Sequence, residues 1–229
     1  MVPVLCFPYA GAGASTYRRL QEQPSDAVRI CPVQLPGREE RYGDPLPRTV
    51  MEAVDELMPD LLDLAGDGGR VALFGHSLGA VLAYEAAYRL RETDGPAVVR
   101  LFVSGSPGPW TRRANRASGL SDAEFVDRVN ELAGYTHPAL THPDLRAMLL
   151  PILRADVAMH EEYRPPAEAR LDVPVTSIRG ADDDLVSADE AAQWTDATSV
   201  GCRLVEVPGG HMYLVDSPAA LVRVLEEGC

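Results

Sequence analysis

Apolar and polar positions along this chain fall into two alternating patterns. Short, mainly apolar runs take turns with longer stretches in which apolar residues recur every three or four positions. The runs at 2–7, 27–33, 70–74, 98–104, 173–179 and 202–207 each have the length of a strand buried on both faces. Residues 47–65 carry Val50, Val54, Leu57, Met58, Leu61 and Leu62 at helical spacing, with Pro59 predicted to kink or break the helix. Residues 78–91 repeat the pattern with Val81, Leu82 and Ala86. Residues 188–195 and 218–227 read as two further helices. Such alternation predicts an α/β fold with a mainly parallel central sheet flanked by helices and joined by right-handed crossovers. Functional residues belong at the carboxyl ends of its strands.

The alternation fails once. Residues 107 to about 166 contain no strand pattern. Ser121 with Glu124 three positions on forms a capping box that opens a helix over 121–133. Residues 142–162 read as a second helical region, interrupted near Pro151. A helical insert of this size between two core strands predicts a lid over the strand ends, within a single domain spanning 1–229. Its apolar side chains (Leu145, Met148, Leu149, Leu150, Ile152, Leu153 and Met159) are expected mostly to pack as helix core, leaving one face for a cavity.

The formal net charge is −13, which argues against nucleic acid and anionic membranes as partners. All 21 basic residues are arginine. Arg112, Arg113 and Arg116 form a local exception to the acidity. No window approaches the roughly 20 apolar residues of a membrane span. The first residues lack a basic region and a cleavage site, so no secretory signal is expected and a cytoplasmic location is the default. Cys6, Cys31, Cys202 and Cys229 show no zinc spacing and are expected to be buried free thiols.

The strongest chemical signal is Val71-Ala72-Leu73-Phe74-Gly75-His76-Ser77-Leu78-Gly79-Ala80, an apolar strand running through Gly-x-Ser-x-Gly into a helix. This arrangement presents a serine at a tight strand-to-helix turn, beside the free N–H groups of a helix start. A serine hydroxyl needs a base. His76 lies inside the turn, and its geometry points it away from the Ser77 proton. His137, His142 and His160 fall in the insert. His211, in a glycine-rich loop directly after the last strand run, is placed as a general base. A carboxylate partner belongs in the loop after the 173–179 run, where Asp182, Asp183 and Asp184 are adjacent and chemically equivalent on sequence. Oxyanion donors are expected from the N–H of Leu78 and from the small-residue loop at 7–15. That loop lacks the spacing of a phosphate cradle.

Five blocks occur in a telling order: Phe7-Pro8-Tyr9-Ala10-Gly11, Gln34-Leu35-Pro36-Gly37-Arg38-Glu39, Gly75-His76-Ser77-Leu78-Gly79-Ala80, Leu149-Leu150-Pro151-Ile152-Leu153-Arg154-Ala155-Asp156 and Pro208-Gly209-Gly210-His211. With them the chain resembles, over nearly its whole length, the type II thioesterases that accompany polyketide synthases and non-ribosomal peptide synthetases. The resemblance implies an α/β-hydrolase fold and hydrolysis of acyl groups from the phosphopantetheine arm of acyl or peptidyl carrier domains, clearing stalled or wrongly primed units. It implies Ser77 as nucleophile, His211 as base and, from a Gly-x-x-Asp spacing placed on Gly180, Asp183 as the carboxylate. The oxyanion donors map to the backbone of Ala10 and Leu78. Tyr9 and Met212 are candidate substrate contacts, and Arg112, Arg113 and Arg116 a candidate patch for docking an acidic carrier. No metal or other cofactor is needed, and a monomer is expected. Relatives often have proline where Asp184 stands and methionine where Leu78 stands, and residues 104–109 differ from the usual turn. The rival readings are a carboxylester hydrolase or acyltransferase on the same triad, and a non-catalytic binding module of the same fold.

Overall fold

The six apolar runs pair as parallel neighbours in the order β2-β1-β3-β4-β5-β6. The computed structural model describes residues 1–66, 69–111, 116–133, 138–167 and 169–229. Along the chain, β1 (Val2–Phe7) leads through a tight turn into α1 (Arg18–Gln21) and β2 (Val28–Pro32). α2 (Val50–Ala65), β3 (Arg70–His76), α3 (Leu78–Leu90) and β4 (Ala97–Ser104) follow. The insert holds α4 (Asp122–Ala133), α5 (Pro138–Thr141) and α6 (Pro143–Glu162). The chain closes with β5 (Val175–Gly180), α7 (Ala188–Ala192), β6 (Cys202–Val207), α8 (Tyr213–Asp216) and α9 (Pro218–Gly228).

Strand periodicity sorts the core into two layers. Leu5 and Phe7 of β1 pack with Val54, Leu57 and Leu61 of α2 and Leu82 of α3 on one face. Val4 and Cys6 pack with Tyr17, Leu20, Leu221 and Leu225 on the other. Within the insert, Phe125, Val126, Leu140, Leu150 and Leu153 form a smaller cluster, against which Ala10 of the loop after β1 packs. Leu145 and Met148 of the insert are exposed instead of packed.

Two expectations need correction. Neither proline interrupts its helix: α2 runs through Pro59 and α6 through Pro151. Both prolines are exposed, so the carbonyl each leaves unpaired faces water, and the packed stripe on the opposite side holds the helix together. Of the four free thiols, Cys6 and Cys31 are buried, but Cys202 and Cys229 are half-buried, because β6 is an edge strand and Cys229 ends the chain. Among the described residues, no helix is long and apolar enough to cross a membrane.

The strand order places the active end of the sheet. β1 has β2 on one side and β3 on the other, so the connections after β1 and β3 leave in opposite directions. A crevice opens where they part, at the carboxyl ends of the two strands. The loop at 8–13 and Ser77 both lie there.

Candidate active site

β3 ends at His76 and α3 begins at Leu78, so Ser77 alone makes the turn. Its φ is +54° and ψ −115°, a conformation that costs a side-chain-bearing residue of order 1–3 kcal/mol. Hydrogen bonds from Ser77 N to Ser104 O (2.8 Å) and from Ala80 N to Ser77 O (3.0 Å) fix it. The flanking glycines are required by contact. A Cβ on Gly75 would run into the carbonyl of Gly79, and one on Gly79 into the carbonyl of Phe7. The second contact presses the start of α3 against the end of β1. It brings the unpaired N–H groups of that helix turn, Leu78 included, beside the loop after β1. The Ser77 hydroxyl makes no hydrogen bond among the described residues.

The candidate acid and base, Asp183 and His211, lie in the loops after β5 and β6. These loops are stitched together by Ala181 N to Val207 O (2.7 Å) and Asp182 N to Gly209 O (3.0 Å). Gly180 sits so close to the carbonyls of Gly209 and Gly210 that no side chain fits there. Asp183 is buried, whereas Asp182 and Asp184 are exposed. Its Oδ1 accepts from Leu185 N (2.8 Å) and Val186 N (3.2 Å), and its Oδ2 meets His211 Nδ1 at 2.9 Å. Burial pushes the Asp183 carboxyl up. The bond to and charge of His211, with the two backbone donors, outweigh it and hold the group below the usual carboxylate range. The bond at Nδ1 leaves Nε2 as the nitrogen available to a substrate or nucleophile.

The His211 ring lies 4.7 Å from that of His76, centroid to centroid. A Cβ on Gly105 would strike Cε1 of both rings. His211 is thereby packed against the residue preceding Ser77, although no hydrogen bond joins Ser77 to it in this structure. Catalytic hydrogen bonds are often long in the absence of substrate.

His76 is fully buried. Its Nδ1 is 2.9 Å from Ser104 Oγ, which is 2.8 Å from Tyr213 Oη, and its Nε2 has no partner among the described residues. Burial first, and His211 second, hold its pKa well below the ordinary imidazole range. The imidazole is neutral when folded and takes up a proton on unfolding below about pH 6.5. The unfolded state then binds more protons, so stability falls as pH falls, by up to ~1.4 kcal/mol per pH unit. Thermal melts from pH 7 to 5 are expected to show this slope, and His76→Asn to flatten it. An unchanged slope in the variant would refute the assignment.

The loop after β1 supplies the other wall. Tyr9 O accepts from Ala12 N (3.0 Å), closing a turn around Ala10 and Gly11. The Tyr9 ring stands edge-on to His76 at 6.0 Å, and its hydroxyl accepts from Thr16. Ala10 and Met212 are half-buried beside the crevice walls, Met212 packing on the second core layer. A cleft runs past Val81, one turn beyond Ser77, between Pro107 and Pro109 after β4 and His160 and Tyr163 near the end of α6. Arg112 and Arg113 lie outside the described residues. Arg116 is half exposed, and its charge is shared with Glu161 (3.4 Å) and Glu162 (3.6 Å). Among the described residues, no group of three His, Cys, Asp or Glu side chains could hold a metal ion.

Residue chemistry read along the chain does not single out Arg38 and Asp156, which pair fully buried beside the loop after β1. The available signal was their place in two of the specific blocks, Arg38 in the second and Asp156 in the fourth.

A family model described as "Thioesterase domain" matches residues 2–229. The chain is 35% identical over 214 residues to the "Probable cadicidin biosynthesis thioesterase" of Streptomyces griseus; the match takes in 93% of this chain but only 58% of that relative's length. Among solved structures it resembles RedJ, a thioesterase from the prodiginine biosynthetic pathway in Streptomyces coelicolor. The TM-score is 0.90 at 32% identity, covering 100% of this chain and 90% of the other. It also resembles BorB, the type II thioesterase from the borrelidin biosynthetic cluster, with a TM-score of 0.87 at 31% identity, covering 100% and 93%. The family match runs from the first strand to the last helix and so takes in every element that positions these side chains: the chain belongs to the thioesterase family and has its α/β-hydrolase fold.

Proposed function

We propose that the protein is an editing thioesterase of the type II class, acting as a monomer on acyl groups carried by the phosphopantetheine arm of acyl or peptidyl carrier domains. Ser77, His211 and Asp183 form its triad. The observation that carries this reading is the Asp183–His211 pair, bonded at 2.9 Å and packed against the serine turn at the crevice of the sheet. The substrate class rests on the biosynthetic relatives named above.

In the first half of the reaction, His211 Nε2 takes the proton of Ser77 Oγ, which adds to the thioester carbon. The carbonyl oxygen gains the electron pair and is met by the N–H groups of Ala10 and Leu78. The C–S bond breaks, the pantetheine sulfur receives the proton from His211, and an acyl-serine remains. In the second half, His211 takes a proton from water, whose oxygen adds to the acyl carbon. Collapse returns the proton to Ser77 and frees the carboxylic acid. Asp183 holds the ring in the tautomer whose Nε2 can accept a proton, and stabilises the imidazolium that forms. Tyr9, whose ring stands against His76, and Met212, next to His211, are the substrate contacts of this reading.

The test compares kcat/KM for one acyl group on a carrier, on coenzyme A and on a simple oxygen ester. The carrier thioester is expected to be the best substrate by at least about tenfold, one RT-scaled step of ~1.4 kcal/mol in transition-state binding. An oxygen ester turned over as well would assign the ester-hydrolase reading instead. Docking through Arg112, Arg113 and Arg116 adds that charge reversal at all three lowers only the carrier rate, and most at low salt.

A further inference from the structure

We propose that Arg38 and Asp156 are a positioning pair that holds the oxyanion loop in register, so that α6 builds part of the catalytic machinery as well as covering it. The inference rests on the reading of the Ala10 N–H as an oxyanion donor.

Arg38 lies in the loop after β2 and Asp156 in the second half of α6. The guanidinium grips the carboxylate with two bonds, Nη1 to Oδ2 at 2.5 Å and Nη2 to Oδ1 at 2.9 Å, with side-chain exposures of 4% and 0%. Both partners then reach the same dipeptide. Gly11 N donates to Asp156 Oδ2 at 2.7 Å, and Arg38 Nη1 donates to Ala12 O at 3.2 Å. The guanidinium is itself braced by Nε to Pro36 O (3.3 Å), and the Arg38 carbonyl by Gln34 Nε2 (3.0 Å).

These bonds fix the peptide planes around Ala10. No peptide among the described residues is cis. In a trans peptide the N–H points opposite to the preceding carbonyl. The Tyr9 carbonyl is turned inward to Ala12 N, so the Ala10 N–H is turned outward from the loop. The next plane is fixed by Gly11 N on Asp156. The fold this requires puts Gly11 at φ +77°, with the Leu153 side chain of α6 2.9 Å from where a Cβ would sit. Tyr9 and Ala10 pack against neighbouring apolar groups, but the small residues from Gly11 on offer no further apolar anchor. The ion pair and the α6 face supply one.

Burial of the pair is weak evidence that it is there for stability. A buried ion pair is commonly replaced by apolar residues at no loss, whereas removing one member strands a charge. That contrast provides the test. The double variant Arg38→Met/Asp156→Leu is expected to fold but to lose the polar grip on Gly11 and Ala12. Its kcat should fall about 100-fold, the scale of one lost oxyanion donor, with KM changed less than about threefold. Inhibition by an alkyl boronic acid, whose tetrahedral adduct on Ser77 places an oxygen in the same hole, should weaken in proportion. The single variant Asp156→Asn keeps one acceptor for Gly11 and should show a smaller loss of the same kind. A folded double variant with native kcat, or a loss confined to KM or to melting temperature with boronate affinity intact, overturns the inference. A double variant that does not fold, with Asp156→Asn matching the native enzyme in kcat and boronate affinity, overturns it too. Ser77→Ala runs alongside: activity retained there, with no boronate inhibition of the native enzyme, would remove the underlying reading as well, which a failure of the pair variants alone would not.

Discussion

Ser77→Ala is expected to lower kcat for acyl-thioester hydrolysis by about four to six orders of magnitude while leaving the fold intact. The first half follows from the chemistry: without the hydroxyl no acyl-enzyme forms, and what remains is binding plus the oxyanion hole. The second half follows from the structure. The Ser77 hydroxyl has no hydrogen-bond partner among the described residues, so its removal strands no buried group. What Ser77 costs the fold is its backbone, held at φ +54°. Alanine keeps that strain, whereas glycine relieves it. Ser77→Gly is therefore expected to be as inactive as Ser77→Ala and at least as stable. Single-turnover rates and thermal melts on the three proteins check both statements. A serine variant that keeps more than a few per cent of native activity would contradict the first, and one that unfolds would contradict the second.

Asp183→Asn is expected to lower kcat about 10⁴-fold, with Asp182→Asn and Asp184→Asn each within about twofold of native. The asparagine oxygen can still accept from Leu185 and Val186, so the loop keeps its shape. The amide group now facing His211 is a donor, however. It forces the proton onto Nε2, the nitrogen that must accept from Ser77. Folding changes as well, in a defined pH window. The Asp183 carboxyl is held below its usual range, so its contribution to stability is present above about pH 4, the unfolded value, and is lost as pH falls through the folded value. Asp183→Asn should lack that acid-range loss. Kinetics at neutral pH and melts between pH 5 and 3 read the two effects separately. If Asp182 or Asp184 proved the costly substitution, the assignment of the carboxylate would be wrong.

The sheet was legible in the sequence because its central strands are buried: β1 from Pro3 on, β3 from Val71 on and β5 throughout. Mainly apolar runs located β1 and the exposed edge strand β6 at the residues observed, and the other four within a few positions. Helix existence was legible from the 3.6-residue period, but helix interruption was not. Pro59 and Pro151 look like breaks when local propensity alone is weighed, and tertiary packing of the opposite face carries both helices through. The four-residue helices α1, α5 and α8 are too short to show a period.

At the site, the serine turn announced itself because its chemistry is local: two glycines that contact forbids from carrying a side chain, and one serine between them. His211 was reached by elimination among five histidines. Three adjacent aspartates could not be told apart by chemistry along the chain. They differ only in which one the turn after β5 buries against His211, a contact 28 residues away in sequence. Arg38 and Asp156 lie 118 residues apart, and no periodicity links them. Only the folded chain shows that one pair of side chains ties the insert to the loop beside Ser77.

The central claim is that Ser77, activated by His211, carries the acyl group. It is tested most directly by mixing the protein with a carrier-bound acyl thioester, quenching within the first turnover and reading the mass of the enzyme and of its Ser77 peptide. The account predicts a burst of one thiol per enzyme and an acyl adduct on Ser77, both absent from Ser77→Ala and slowed drastically in His211→Ala. Steady thiol release with no acyl group on Ser77, at a rate that Ser77→Ala leaves unchanged, would contradict it.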